Sequence, residues 1–273
     1  MKRKCSSVFL VAMIALSACD GRGRTTYANG DSMANTIKDG QVFRISFTEQ
    51  FNRNDIASFD IFIEDYRKEP DQNGLYKKTE QGWVFRIAAM SGDQLQIKEG
   101  DVYVNDTLQR LPPKALEEYD IISTVPIDEF IEEMEKDPYA IKLERRGDTF
   151  FYRKTLTAAE VEDFRGRKPA IVSVKKYLLP FETSYNPGII QLTSDAKWTA
   201  DNFGPLRIPK PGETIVVDSS NFRLYQYIPG IAMGNHVVKE PLYFLLGDNR
   251  HNSMDSRLIG FISHSKMKGI VKL

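Results

Sequence analysis

The sequence lacks several features that would point to common functional classes. Lys and Arg (37) balance Asp and Glu (37), so there is no charge excess of the kind that indicates nucleic-acid binding or a disordered chain. No low-complexity tract or fixed-period repeat is present. Cysteine (2) and histidine (3) are scarce, which excludes a disulfide framework or a cysteine-rich metal site. We therefore expect no nucleic-acid partner, no metal and no cofactor.

Long hydrophobic runs are also missing, and the N-terminus carries a short one. Basic residues at 2–4 precede an apolar run at 8–16, which is nine residues long. That run is too short to cross a bilayer core of roughly 30 Å. The pattern indicates an export signal rather than a transmembrane helix.

The end of this segment, "LSAC" at 16–19, resembles a bacterial lipobox, in which Leu and two small residues precede a cysteine. The resemblance implies a lipoprotein signal peptide over 1–18, removed before Cys19, and lipid on the Cys19 sulfur. Residues 19–29 would then be a tether to a bacterial membrane, on its periplasmic or cell-surface side. An ordinary secretory signal that happens to contain a cysteine is the alternative.

Strand patterns dominate the rest of the chain. Alternating or continuous apolar residues, many of them β-branched or aromatic, predict strands. These lie at 41–47, 55–63, 83–90, 213–218, 241–249 and 267–273. Residues 92–106 predict a hairpin with its turn at Glu99-Gly100. We therefore expect a mostly β fold with its core in 30–106 and 198–273.

The middle of the chain has a different pattern. Residues 127–137 place apolar side chains at helical spacing with acidic residues on the other face. Residues 157–164 begin with Thr157 and Glu160 at the spacing of a capping box. We interpret 107–197 as an inserted, variable α+β subdomain.

A dense polar cluster follows the strand at 241–249. The segment "YFLLGDNRHNSMDSRLIGFI" at 243–262 resembles the signature of bacterial type I signal peptidases, in which Gly-Asp-Asn-Arg, Asn-Ser and Asp-Ser-Arg recur in this order. Three more segments are similar to that family's boxes: "GDSM" at 30–33, 85–106 and 201–215. All four occur in the family's order. The resemblance implies an all-β catalytic core with an inserted subdomain.

The resemblance also implies roles for individual residues. Ser32 matches the nucleophile, Ser253 matches the serine that orients the catalytic lysine, and Asp255 with Arg257 matches a supporting ion pair. The family's general-base lysine lies immediately before an arginine, here Arg86. In this sequence that position is Phe85, which cannot accept a proton from serine.

No neighbouring residue replaces the lysine. Lys77 and Lys78 lie seven or more residues upstream of this position. Related enzymes use histidine there, and His251, inside the polar cluster, is the best substitute among the three histidines.

Three functions remain open. The first is a membrane-tethered signal peptidase homologue that binds or acts on signal peptides of exported proteins, with impaired or no catalysis. The second is an active serine endopeptidase that uses another base or a water relay. The third is a non-enzymatic, peptide-binding accessory lipoprotein.

Overall fold

The computed structural model describes residues 23–64, 78–137, 140–180, 188–192 and 196–273. The strands are β1 (Gly23–Tyr27), β2 (Val42–Ser46), β3 (Ile56–Glu64), β4 (Lys78–Met90), β5 (Gln94–Lys98), β6 (Asp101–Val104), β7 (Thr107–Leu108), β8 (Glu117–Ser123), β9 (Lys142–Arg146), β10 (Thr149–Leu156), β11 (Ile171–Lys176), β12 (Phe203–Arg207), β13 (Thr214–Val217), β14 (Gly234–Val237), β15 (Leu242–Leu246), β16 (Ile262–Ser263) and β17 (Met267–Lys272). The helices are α1 (Asp128–Lys136), α2 (Ala158–Gly166), α3 (Phe222–Tyr225) and α4 (Ser256–Ile259), and a 3-10 turn spans His264–Lys266. The prediction of a mostly β fold is confirmed.

A seven-stranded antiparallel sheet forms the centre of the fold, in the order β1-β2-β17-β3-β4-β15-β16. Strand β15, "LYFLL", is buried at all five positions. Its alternate residues enter different apolar clusters: Tyr243 and Leu245 contribute to one, and Phe244 and Leu246 to the other. A continuous apolar run is typical of a strand that is covered on both faces. The end of β15 therefore places the polar segment after it deep in the protein.

The predicted hairpin is confirmed as β5 and β6, which pair with Ile97 opposite Val102. Glu99 (φ 51°) and Gly100 (φ 83°) form the turn, which requires left-handed backbone at both positions. This hairpin belongs to a four-stranded sheet in the order β12-β5-β6-β7. Two further strands, β13 and β14, form a separate pair.

A second four-stranded sheet, β11-β8-β10-β9, lies within the segment that we predicted as an insertion. Helices α1 and α2 pack onto it through Phe130, Val161 and Phe164, which form an apolar cluster with residues of the sheet. The predicted capping box is present. The Thr157 side chain accepts from the backbone N–H of Glu160, and the Glu160 side chain accepts from the backbone N–H of Thr157.

Residues 23–27 of the predicted tether form β1. This strand pairs with β2, with Arg24 opposite Ile45 and Thr26 opposite Phe43. The segment "GRTTY" lacks an apolar alternation, so only its pairing partner reveals it as a strand. Residues 1–22, including the predicted signal peptide and Cys19, lie outside the described residues.

Among helices within the described ranges, none combines the length and the apolar character needed to span a bilayer.

Candidate active site

The loop that carries Ser32 connects β1 to β2 and lies against the polar segment after β15. The backbone N–H of Asn249 donates to the carbonyl oxygen of Ser32 (3.0 Å). The side-chain amide of Asn249 donates to the carbonyl oxygen of Asp31 (3.1 Å). Ser32 is half-buried. The two segments, more than 200 residues apart in sequence, thus meet at the predicted nucleophile.

A buried carboxylate fixes the other side of this loop. Asp248 accepts from the Thr36 hydroxyl (2.5 Å) and from Nε (2.8 Å) and Nη2 (2.6 Å) of Arg86. Its backbone N–H donates to the sulfur of Met33 (3.3 Å). Asp248 is fully buried, and paired, charge-assisted hydrogen bonds of this kind stabilise a buried carboxylate. Three separate sequence boxes are therefore joined at one side chain.

Phe85, at the predicted general-base position, lies on the opposite face of β4 from Arg86. It is 2% exposed. Its ring centroid is 5.9 Å from that of Phe59 and 5.7 Å from that of Trp83. Met33, next to Ser32, belongs to the same apolar cluster. Residue 85 thus belongs to the same apolar cluster as a residue of the serine loop, and aromatic side chains surround its ring.

Ser253 is buried and lies where the serine loop meets Gly247. A Cβ atom at residue 247 would be 2.1 Å from the Ser253 Oγ and 2.6 Å from the carbonyl oxygen of Ser32. Only glycine fits at this position, and its lack of a side chain lets the two serine-bearing segments approach each other.

Asp255 and Arg257 form a buried ion pair directly behind these segments. The carboxylate accepts from Nε (2.8 Å) and Nη2 (2.7 Å) of Arg257 and from the backbone N–H of Gly247 (3.0 Å). Arg257 also donates to the carbonyl oxygens of Ala200 (3.1 Å) and Arg250 (2.7 Å). The pair therefore links the end of β15 to the loops around it. The predicted ion pair is present, and its part in catalysis stays a prediction.

His251, the alternative base, has both ring nitrogens engaged elsewhere. Nε2 lies 2.7 Å from Asp201 and Nδ1 lies 3.3 Å from Glu118. Burial lowers the pKa of His251, but the hydrogen bonds to Asp201 and Glu118 outweigh it, so that its pKa is raised overall. The imidazole, held between two carboxylates, connects β8 to the loop before β12. This geometry does not support a role as base for Ser32.

Two of these arrangements were not predicted from the sequence. Arg86, Asp248 and Thr36 occur in the family's boxes, but their contact depends on pairing between β4 and β15. The carboxylates of Asp201 and Glu118 carry no sequence signal for a contact with His251. Within the described ranges, no three His, Cys, Asp or Glu side chains gather as metal ligands would.

Residues 1–158 and 204–273 match the family described as signal peptidase, peptidase S26, and the chain belongs to this family. The match includes the serine loop, β4 and the whole segment from Asp248 to Arg257. No curated protein matches the chain. Membership supports a signal peptidase I-like function and implies signal peptides as substrates and a membrane-associated or exported protein. The unmatched segment, 159–203, is shorter than the insertion we predicted.

Proposed function

We propose that this protein is an exported, membrane-tethered signal peptidase homologue that binds signal peptides of exported proteins and hydrolyses them slowly or not at all. The observation that carries the proposal is Phe85, a buried phenyl ring at the position where the family has its general base.

The chemistry of serine supports impaired hydrolysis. A serine hydroxyl is a poor nucleophile unless a nearby base removes its proton. A lysine among Phe59, Trp83 and Met33 would have a lowered pKa because burial disfavours the charged amine. A phenyl ring at the same place has no lone pair to accept the proton. Residual catalysis from an oxyanion hole and substrate binding would amount to about 10³–10⁴ over water.

Peptide binding does not require the missing base. An extended peptide can pair with the backbone of a strand, and its side chains then select the sequence. The serine loop is held by Asn249 on one side and by Asp248 on the other, so its backbone is fixed without Phe85 taking part. We therefore expect affinity for signal peptides to outlast the loss of hydrolysis.

A cleavage assay tests this proposal. Purified protein and the Ser32→Ala variant are each incubated with a fluorogenic signal-peptide substrate, and binding of the same peptide is measured by anisotropy. We expect both proteins to bind, with similar affinities, and neither to cleave above a trace. Efficient cleavage that disappears in Ser32→Ala would show an active enzyme, and absence of signal-peptide binding would contradict the proposal.

Tethering through Cys19 has a separate test. Mass spectrometry of the N-terminal peptide from the native chain should show a lipid-modified Cys19, and the native chain should fractionate with membranes. The Cys19→Ala variant should leave the membrane fraction, because the thiol that carries the lipid is gone. Unmodified Cys19 in a correctly exported native chain would instead establish an ordinary secretory signal.

A further inference from the structure

A cleft lies on the face of β4 opposite to Phe85, between the central sheet and the β5–β6 hairpin. Its enclosed volume is about 40 Å³, and about 450 Å³ when the open solvent at its mouth is included. The polar residues that line it are Asn54, Arg86, Asp101, Gln109, Arg110 and Arg250. Side chains of neighbouring residues on a strand point to opposite faces, so the cleft is separate from the apolar cluster around the serine loop.

Arg250 brings a buried positive charge to this cleft. The residue is 7% exposed, and its Nε and Nη1 have no hydrogen-bond partner among the described residues. Its backbone is fixed, because the N–H donates to the carbonyl oxygen of Leu116 (3.0 Å) and the carbonyl oxygen accepts from Arg257 (2.7 Å). Two buried guanidinium nitrogens without hydrogen-bond partners are energetically unfavourable.

The neighbouring carboxylates are already engaged. Asp248 binds Arg86 and Thr36, and Asp255 binds Arg257. Asp101, which also lines the cleft, binds Lys176 at 2.8 Å. Each of these acids is hydrogen-bonded to a cation other than Arg250. Asp248, Asp255 and Glu117 therefore act on Arg250 through their charge alone.

The mouth of the cleft adds a second positive charge. Arg110 is exposed and forms no ion pair with any residue in the described ranges. Asn54 contributes a side-chain amide that can donate to an oxygen, whereas the Gln109 amide already donates to the carbonyl oxygen of Thr107 (2.8 Å). The cleft thus presents donors and excess positive charge from several elements.

We propose that this cleft binds an oxyanion, a carboxylate or phosphate group of a small ligand, with Arg250 at its base and Arg110 at its mouth. The planar guanidinium presents two parallel N–H groups that match the oxygens of either anion. The cleft and Phe85 lie on opposite faces of β4, so this site goes beyond the function proposed above.

Titration of the full-length protein tests the proposal. Binding of sodium phosphate and of sodium acetate is measured by calorimetry at constant ionic strength, with sodium chloride as the control for charge screening. We expect binding of at least one oxyanion. The Arg250→Met variant should weaken it by about tenfold or more, the loss typical of one charged hydrogen-bonding group. Tighter binding of phosphate would indicate that the natural ligand carries a phosphate group. Tighter binding of acetate would indicate that it carries a carboxylate.

Two further variants keep the test decisive. Arg110→Met changes an exposed residue, so it should fold even if Arg250→Met does not, and it should also weaken binding. Arg146→Met removes an exposed arginine of β9, outside the cleft, and should have no effect. Absence of binding up to about 10 mM anion, an equal response to chloride, or unchanged affinity in Arg110→Met and in any folded Arg250→Met would overturn the proposal.

Discussion

At the scale of single residues, Phe85 and Arg86 show how strand geometry separates two environments. The side chain of Phe85 enters an apolar cluster with Phe59 and Trp83, whereas Arg86 reaches Asp248 on the other face. Alternation along β4 means that a charged group at residue 85 would face hydrocarbon side chains, while one at residue 86 meets a carboxylate. Phenylalanine at residue 85 is therefore compatible with the Arg86–Asp248 ion pair on the other face.

The ion pair of Asp255 with Arg257 gives a prediction about stability. In Asp255→Asn, the Arg257 guanidinium, which is 1% exposed, would lose its counter-charge while still buried. We expect a loss of about 3–5 kcal/mol in the free energy of unfolding, because breaking a buried pair leaves an uncompensated charge. Urea denaturation monitored by tryptophan fluorescence measures it.

The matched control is Glu213→Gln, which breaks the solvent-exposed pair with Arg207. Surface pairs contribute little to stability, so this variant should unfold close to the native midpoint. Equal midpoints for the two variants would show that the Asp255 pair does not support the fold as described.

At the scale of elements, His251 connects β8 of the second sheet to the loop before β12. Its pKa is raised above the ordinary 6.5, so the protonated form stabilises the folded state. That contribution is fully present below pH 6.5 and is lost as the pH rises through the folded pKa. The free energy of unfolding should therefore fall with rising pH in the native protein more than in His251→Gln.

The measurement is a series of urea unfolding curves from about pH 5, where carboxylates are ionised, upward. His236→Gln, on the exposed strand β14, serves as the control and should follow the native protein. A constant difference between native and His251→Gln over the whole range would contradict the described pairing with Asp201 and Glu118.

The element patterns also show how far the sequence could predict the fold. Strands such as β3, β4 and β15 were predicted because their apolar residues alternate or run continuously against a packed core. The sequence predicted neither β1 nor β9. "GRTTY" and "KLERR" carry no apolar alternation, and every residue of β9 is exposed. These strands form because neighbouring strands offer hydrogen bonds, and such pairing is not encoded locally.

At the scale of the whole molecule, the candidate site joins segments from both ends of the chain. Ser32, Ser253, Asp255 and Arg257 were predicted through resemblance to the signal peptidase boxes. The Thr36–Asp248 hydrogen bond spans 212 positions, and the junction of His251 with Asp201 and Glu118 spans two sheets. Contacts of this kind depend on how the sheets pack, so neither spacing nor periodicity could reveal them.

The central claim is that the site lacks its base while retaining the surrounding frame, and Phe85→Lys tests it most directly. The measurement is the rate of signal-peptide cleavage by Phe85→Lys, compared with that of the native protein. Phe85→Met is the control of similar size without an amine. The double variant Phe85→Lys, Ser32→Ala shows whether cleavage depends on the serine. Circular dichroism and the thermal midpoint establish that each variant is folded. We expect cleavage by Phe85→Lys alone, increasing with pH as the buried amine loses its proton. Folded Phe85→Lys that cleaves no faster than Phe85→Met, or native protein that already cleaves as fast as Phe85→Lys, would contradict the account.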